Sequence, residues 1–248
     1  METRLIFFLL LLLSLSQYAL AQSPAKDIEQ QQFIWLRYSN RLTINERWLL
    51  YSEVETRWFA FANRLHQWVL PRVQLHYQIG PGADVALGNT LFLQALPQTA
   101  DEAVDRIRPE IRPHQELNLS QSLGKLKISH RYKIEERFFQ RTSVDQPDFN
   151  FRFRYRLQVQ VPLTNPEKHI PVSVRVFDEV MFNAGKNIVY NVFDQNRIFA
   201  DCQVKLSPHW TVEVGYMNWF QQRPSGTEFF NRHIARFTLA HAISLKEH

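Results

Sequence analysis

From Phe149 to Val161 the chain reads Phe-Asn-Phe-Arg-Phe-Arg-Tyr-Arg-Leu-Gln-Val-Gln-Val, apolar or aromatic at every odd position and polar at every even one. Successive side chains of a strand point to opposite faces, so this segment has one oily face and one that carries Arg152, Arg154, Arg156, Gln158 and Gln160. Such a strand needs two different media. It exceeds the roughly five or six residues of an ordinary strand, whereas a membrane-crossing strand needs about nine to eleven. A long antiparallel sheet with one wet face would satisfy this one segment equally well, so the rest of the chain has to decide.

Period-two segments bounded by turn residues follow one another through the chain with hardly any helical periodicity between them. They run over residues 33–42, 47–60, 65–79, 84–96, 106–119, 125–140, 149–162, 170–182, 191–206, 210–221 and 229–244. Tight connections are expected at Gly80-Pro81-Gly82, Ser122-Leu123-Gly124, Thr164-Asn165-Pro166-Glu167 and Leu206-Ser207-Pro208. Longer polar ones fall near residues 97–105, 141–148, 183–188 and 222–228. Bacterial outer-membrane barrels have this asymmetry, with short periplasmic turns and longer outer loops. An open sheet of so many long strands would leave two unpaired edges, and closure removes both. The sequence therefore predicts an all-β fold, a closed antiparallel transmembrane β-barrel. Single-chain bacterial barrels have an even strand number. That rule turns eleven segments into an expectation of ten or twelve strands, twelve favoured, with residues 22–32 supplying the extra one.

The first residues agree with export. Arg4 precedes an apolar run over residues 5–13, and Ala19-Leu20-Ala21 forms a small-x-small site, so residues 1–21 are read as a signal peptide cleaved before Gln22. Residues 22–248 are then one domain in the outer membrane of a Gram-negative bacterium. The apolar run falls short of the ~20 residues of a spanning helix. The single cysteine, Cys202, is expected on the outward face of its strand, and with no second cysteine a closed barrel or a large core must provide stability.

With the oily faces outward, a charged inventory of both signs points inward. Segment 106–119 offers Arg108, Glu110, Arg112, His114 and Glu116, and segment 125–140 offers Lys127, Arg131, Lys133, Glu135 and Arg137. Arg152, Arg154 and Arg156 follow, then Arg175 and Glu179, then Arg197, Asp201, Gln203 and Lys205, with Glu53, Glu55 and Arg57 on the second segment. Charges in a low-dielectric interior must pair or be hydrated, so cross-strand Arg-carboxylate ladders are expected. One reading is a plugged, purely structural interior. The sharper one is a narrow channel in which Arg108, Glu110, Arg112, Arg131, Glu135, Arg152, Arg154, Arg156, Arg175, Glu179 and Arg197 line a track for small anionic solutes. In size and arginine content it is similar to small porins that pass acidic oligosaccharides, an analogy of architecture.

Trp35, Trp48, Trp58, Trp68, Trp210, Trp219, Phe229 and Phe230 lie near segment ends, where interfacial girdles would place them. An enzyme has little to stand on. The histidines show no metal-ligand spacing, and no nucleophile elbow or phosphate loop occurs. His130 sits on the oily face while the adjacent Ser129 points the other way, which argues against a membrane-embedded lipid-modifying hydrolase, the alternative weighed here. A periplasmic β-sandwich is the third option. Neither a catalytic residue, a metal, a cofactor nor a nucleic acid is expected; the partners are outer-membrane lipid and small anions, and the barrel is expected to be a monomer.

Trp48-Leu49-Leu50-Tyr51-Ser52-Glu53-Val54-Glu55-Thr56-Arg57, Leu70-Pro71-Arg72 leading to Tyr77, Arg108-Pro109-Glu110, Arg131 with Glu135-Glu136-Arg137, the strand from Arg154 to Arg156, Asp178-Glu179 and Phe193-Asp194-Gln195-Asn196-Arg197 occur in this order. In them the chain resembles an uncharacterised family of Gram-negative outer-membrane barrels, domain of unknown function number 2490. The resemblance implies export and a barrel, and transfers no activity.

Overall fold

The computed structural model describes residues 26–140, 148–165 and 170–245. The leader read over residues 1–21, the first residues of the proposed extra strand, and parts of the 141–148 and Thr164-Glu167 connections lie outside them. Eleven strands are present among the described residues: β1 Asp27–Thr43, β2 Trp48–Phe59, β3 Leu65–Gly80, β4 Ala83–Leu96, β5 Arg106–Leu123, β6 Leu126–Phe139, β7 Asp148–Pro162, β8 Val172–Ala184, β9 Phe193–Lys205, β10 Trp210–Gln222 and β11 Glu228–Ser244. Each pairs with its sequence neighbours antiparallel, and the sheet closes on itself. The shortest has 12 residues and the longest 18, well beyond ordinary globular strands.

The closing ladder corrects the expected count. β1 pairs with β11 in parallel along its whole length, from Asp27 opposite Glu228 to Thr43 opposite Ser244. In an up-and-down sheet with an odd number of strands, the first and last run the same way, and only a parallel ladder can join them. The barrel has eleven strands rather than ten or twelve. Residues 27–32 lengthen β1 instead of forming a separate strand.

Two of the turns show why the chain reverses where it does. Pro81-Gly82 links β3 to β4, and Gly124-Lys125 links β5 to β6; Gly82 has φ +70° and Gly124 +58°, conformations that a Cβ disfavours. These turns, with residues 44–47 and 206–209, lie at one end of the barrel, together with the connection from Leu163 to Pro171. That last connection is longer than the tight turn expected, because Pro171 has no N–H for the ladder and β8 starts at Val172. Among the described residues the other end carries residues 60–64, 97–105, 185–192 and 223–227, together with Gln140. We call these the short-turn and long-loop ends.

One irregularity changes which side chains enter the barrel. Along β3 the partner of Glu55 is Val69 and that of Glu53 is Arg72, so β3 carries one extra residue there. The same bulge recurs against β4 between Val69 and Arg72. An inserted residue flips the alternation. Gln67 and Val69 are buried before it, and Gln74 after it.

Outside, the wall is apolar: Leu36, Tyr38, Val54, Ile134, Phe153, Leu157, Phe182, Val176, Ile198, Val214, Phe237 and Leu239 are all exposed. Cys202 is exposed on the same side. Inside, a cluster of Phe33, Trp35, Phe59, Phe177, Phe199, Met217, Trp219 and Ile234 packs along the arc formed by β8 to β11, β1 and β2. Trp35 and Trp219 meet edge to face with ring centroids 5.8 Å apart. Neither belongs to an outer girdle, and Phe230 is likewise buried. Trp48, by contrast, is exposed and packs on Tyr77 at 4.7 Å.

Candidate functional site

Strand alternation places the arginine-rich faces of β5, β6 and β7 opposite the aromatic arc. The result is a lumen with an ionic wall and an aromatic wall. Guanidiniums also lie against aromatic rings around the lumen. Arg57 lies 3.9 Å from the Trp35 ring centroid, Arg236 3.8 Å from Phe199, Arg112 3.7 Å from Phe92, and Arg197 4.5 Å from Trp219. A desolvated cation on an aromatic face gains about 1–2 kcal/mol, more than in water.

Several carboxylates of the ionic wall hold more than one cation. Glu110 receives Arg112 at 2.5 Å and Arg137 at 2.7 Å. Glu135 is buried among Arg154 at 2.6 Å, Lys133 at 3.5 Å, Arg152 at 3.7 Å and Arg112 at 4.0 Å. Glu179 receives Arg154 at 2.8 Å and also Arg131. Lys133 reaches Glu116 at 2.9 Å, and Arg152 reaches Asp194 at 2.8 Å. Arg175 pairs with Asp201 and, at 2.8 Å, with Glu213. Breaking one of these buried pairs would leave an uncompensated charge, so the network holds the side chains in place.

Two cavities occupy the rest of the lumen. The one at the long-loop end has a volume of about 1020 Å³, and Arg108, Glu110, Arg112, Arg137, Arg152 and Arg232 are in its wall. The one at the short-turn end has about 720 Å³, with Arg131, Arg156, Arg175 and Glu179 in its wall. Arg57, Arg72, Arg154 and Arg197 border both. These four form the waist. Arg57 and Arg197 rest on the Trp35–Trp219 pair, while Arg154 is tied into the carboxylates of the other wall.

All eleven residues read from the sequence as lumen candidates point inward, and ten line one or both cavities; Glu135 lies packed behind them. Sequence reasoning missed Arg37, Arg72, Glu213, Arg232 and Arg236. Arg37 pairs with Glu213 at 3.1 Å and Glu53 at 3.6 Å, and Arg72 pairs with Glu53. Arg236 approaches Asp201 at 3.7 Å. Arg232 is buried and forms no ion pair among the described residues; its donors go to the side-chain oxygens of Gln31, Gln98 and Gln221. Alternation across β1 and β11 would mark Arg37, Arg232 and Arg236 were the inner face of those strands not also aromatic.

His130 faces outward, its Nδ1 2.9 Å from the Tyr155 hydroxyl. Ser129 lies opposite Ser120 in the ladder. Among the described residues no group of three His, Cys, Asp or Glu side chains could hold a metal ion.

A family model described as protein of unknown function (DUF2490) matches residues 32–230, and the chain belongs to that family. No match to a curated protein was found.

Proposed function

We propose that this chain is an outer-membrane β-barrel of a Gram-negative bacterium that draws small anionic solutes into its lumen and passes them singly past the arginine waist. The membrane part of this reading is supported by the apolar outer wall. Exposed contiguous apolar surface on this scale has no place in water, and the charges sit on the inner side instead. The leader-like residues 1–21 support export. The anion preference rests on one observation: Arg57, Arg72, Arg154 and Arg197 border both cavities, so any solute crossing from one to the other touches guanidiniums. Rings of such groups favour anions over cations.

Planar-bilayer recording tests the reading. Small, discrete steps that prefer anions are expected, and replacing Arg152, Arg154 and Arg156 together with Gln should lower that preference. Silent bilayers, or selectivity unchanged by the replacement, overturn it. A closed structural barrel is the second reading, favoured by Glu135, whose four cations fill the space beside the waist. Both readings are non-enzymatic: the outward His130 bonds a tyrosine hydroxyl rather than an acid or a serine.

A further inference from the structure

One lateral row of the ladder crosses the short-turn cavity and the waist: Arg131 opposite Arg156, Arg156 opposite Glu179, and Glu179 opposite Arg197. Three guanidiniums flank one carboxylate. Glu179 is already occupied, since it accepts from Arg131 and takes both Nε and Nη2 of Arg154 at 3.2 and 2.8 Å. Arg197 turns to Gln195 and the Trp219 ring. Arg156 donates to no acceptor among the described residues; it lies in the field of Glu179 and Glu116 and of the like-charged Arg131 and Arg175, with the Phe177 ring at 5.1 Å. The Nε–H of Arg156 and the Nε–H of Arg131 are both buried and without a partner. Like charges directly opposite one another across a ladder are destabilising. A buried unsatisfied charged donor costs more still.

We propose that Arg131 and Arg156 form a discrete oxyanion site at the short-turn end, taking a phosphoryl or carboxylate group of a small solute. The reason is stoichiometric. The row holds more cations than its carboxylate can serve, and a bound oxyanion would supply the missing acceptor. Guanidinium forks suit such two-point contacts, and these bonds are among the stronger ones available to a protein. Gln158 and Ser129 stand in the same cavity wall, as does Phe177, whose ring keeps Arg156 from folding away. The proposal goes beyond conduction: it requires only that the short-turn cavity be reached by water, so it stands or falls separately from the pore.

Calorimetric titration of the full mature chain in nanodiscs tests it, with inorganic phosphate in one arm and glucuronate in the other. One saturable site is expected for at least one of the two anions, and the arm that binds tells phosphoryl from carboxylate recognition. Arg156→Gln and Arg131→Gln should each weaken binding at least about tenfold, the loss of one charge-assisted bond, whereas Arg156→Lys should keep part of it. Should the Gln variants fail to fold, phenylglyoxal labelling of Arg156 in the unaltered chain replaces them, and bound anion should slow it several-fold. Absence of saturable binding for both anions up to about 10 mM, a millimolar limit corresponding to under about 3 kcal/mol, overturns the site. So does equal affinity in Arg156→Gln, or labelling indifferent to both anions. A barrel that binds but carries no current keeps this site and removes the conduit.

Discussion

Arg154 donates to Glu135 across the β6–β7 ladder at 2.6 Å, and the same guanidinium reaches Glu179 on β8 with its other arm at 2.8 Å. One side chain on β7 thus ties three strands together through the lumen. The ties are ionic, so the rigidity of this wall depends on charge balance rather than on apolar packing. Glu135, the carboxylate with the most cations around it, is where that balance is most easily upset.

Glu135→Gln should destabilise the barrel by about 3–5 kcal/mol, because it removes the carboxylate that Arg112, Lys133, Arg152 and Arg154 share and leaves one buried positive charge in excess among them. Urea unfolding in lipid measures this. A change below about 0.5 kcal/mol, the size of an ordinary surface substitution, would show that water reaches the carboxylate.

The outer wall offers a direct test of the membrane reading. Ile134, Phe153 and Phe182 lie side by side on β6, β7 and β8, and all three are exposed. In a bilayer, Phe153→Arg should cost about 2–4 kcal/mol if the position lies near the midplane, less toward the interfaces. In a barrel surrounded by water the same change would be close to neutral. Unfolding free energies in lipid vesicles distinguish the two.

Gly215 faces the aromatic arc of the lumen. A Cβ there would lie 2.6 Å from the Asp201 Cβ, 2.6 Å from the Ala200 carbonyl oxygen and 2.7 Å from the Phe199 ring. Gly215→Ala should therefore cost about 1–3 kcal/mol through overpacking. Thermal unfolding indistinguishable from that of the unaltered chain would mean that β9 and β10 have more room than the geometry gives them.

At the waist, Arg57→Gln together with Arg197→Gln should shift the reversal potential under a salt gradient toward that of an unselective pore, with conductance unchanged or larger. Both side chains stack on tryptophans, and Arg57 also pairs with Glu55 at 2.6 Å, so unfolding of the double variant measured in parallel separates the loss of field from a loss of structure. A reversal potential that does not move would place selectivity elsewhere in the lumen.

The strands themselves were legible in the sequence, since alternation in β7 or β6 is visible residue by residue and each expected segment lies within a few residues of a strand. The eleven period-two segments match the eleven strands, whereas the rule of even parity does not hold for this barrel; the parallel β1–β11 ladder makes the segments the better guide. Alternation also failed where both faces are apolar. Phe33-Ile34-Trp35-Leu36 carries no phase, so Trp35 was placed in an outer girdle although it lies in the middle of the lumen. Arg72 was missed for a different reason: the bulge beside it reverses the phase of β3, and a single inserted residue leaves no periodic trace. Of the candidate site, the inward charges followed from alternation, but their allotment did not. That Glu179 is spoken for while Arg156 is not depends on distances between three strands, which spacing along one strand cannot supply.

The parallel seam has a consequence for sidedness. Because β1 and β11 run the same way, Asp27 opens at the long-loop end and Ser244 finishes at the short-turn end. Under the proposed outer-membrane placement with the loops outward, an epitope grafted just ahead of Asp27 would be displayed to antibodies on intact bacteria, whereas one joined after Ser244 would stay hidden in the periplasm. The same placement would make threading that leading edge across the bilayer a step of biogenesis that a barrel with both ends on one side does not need.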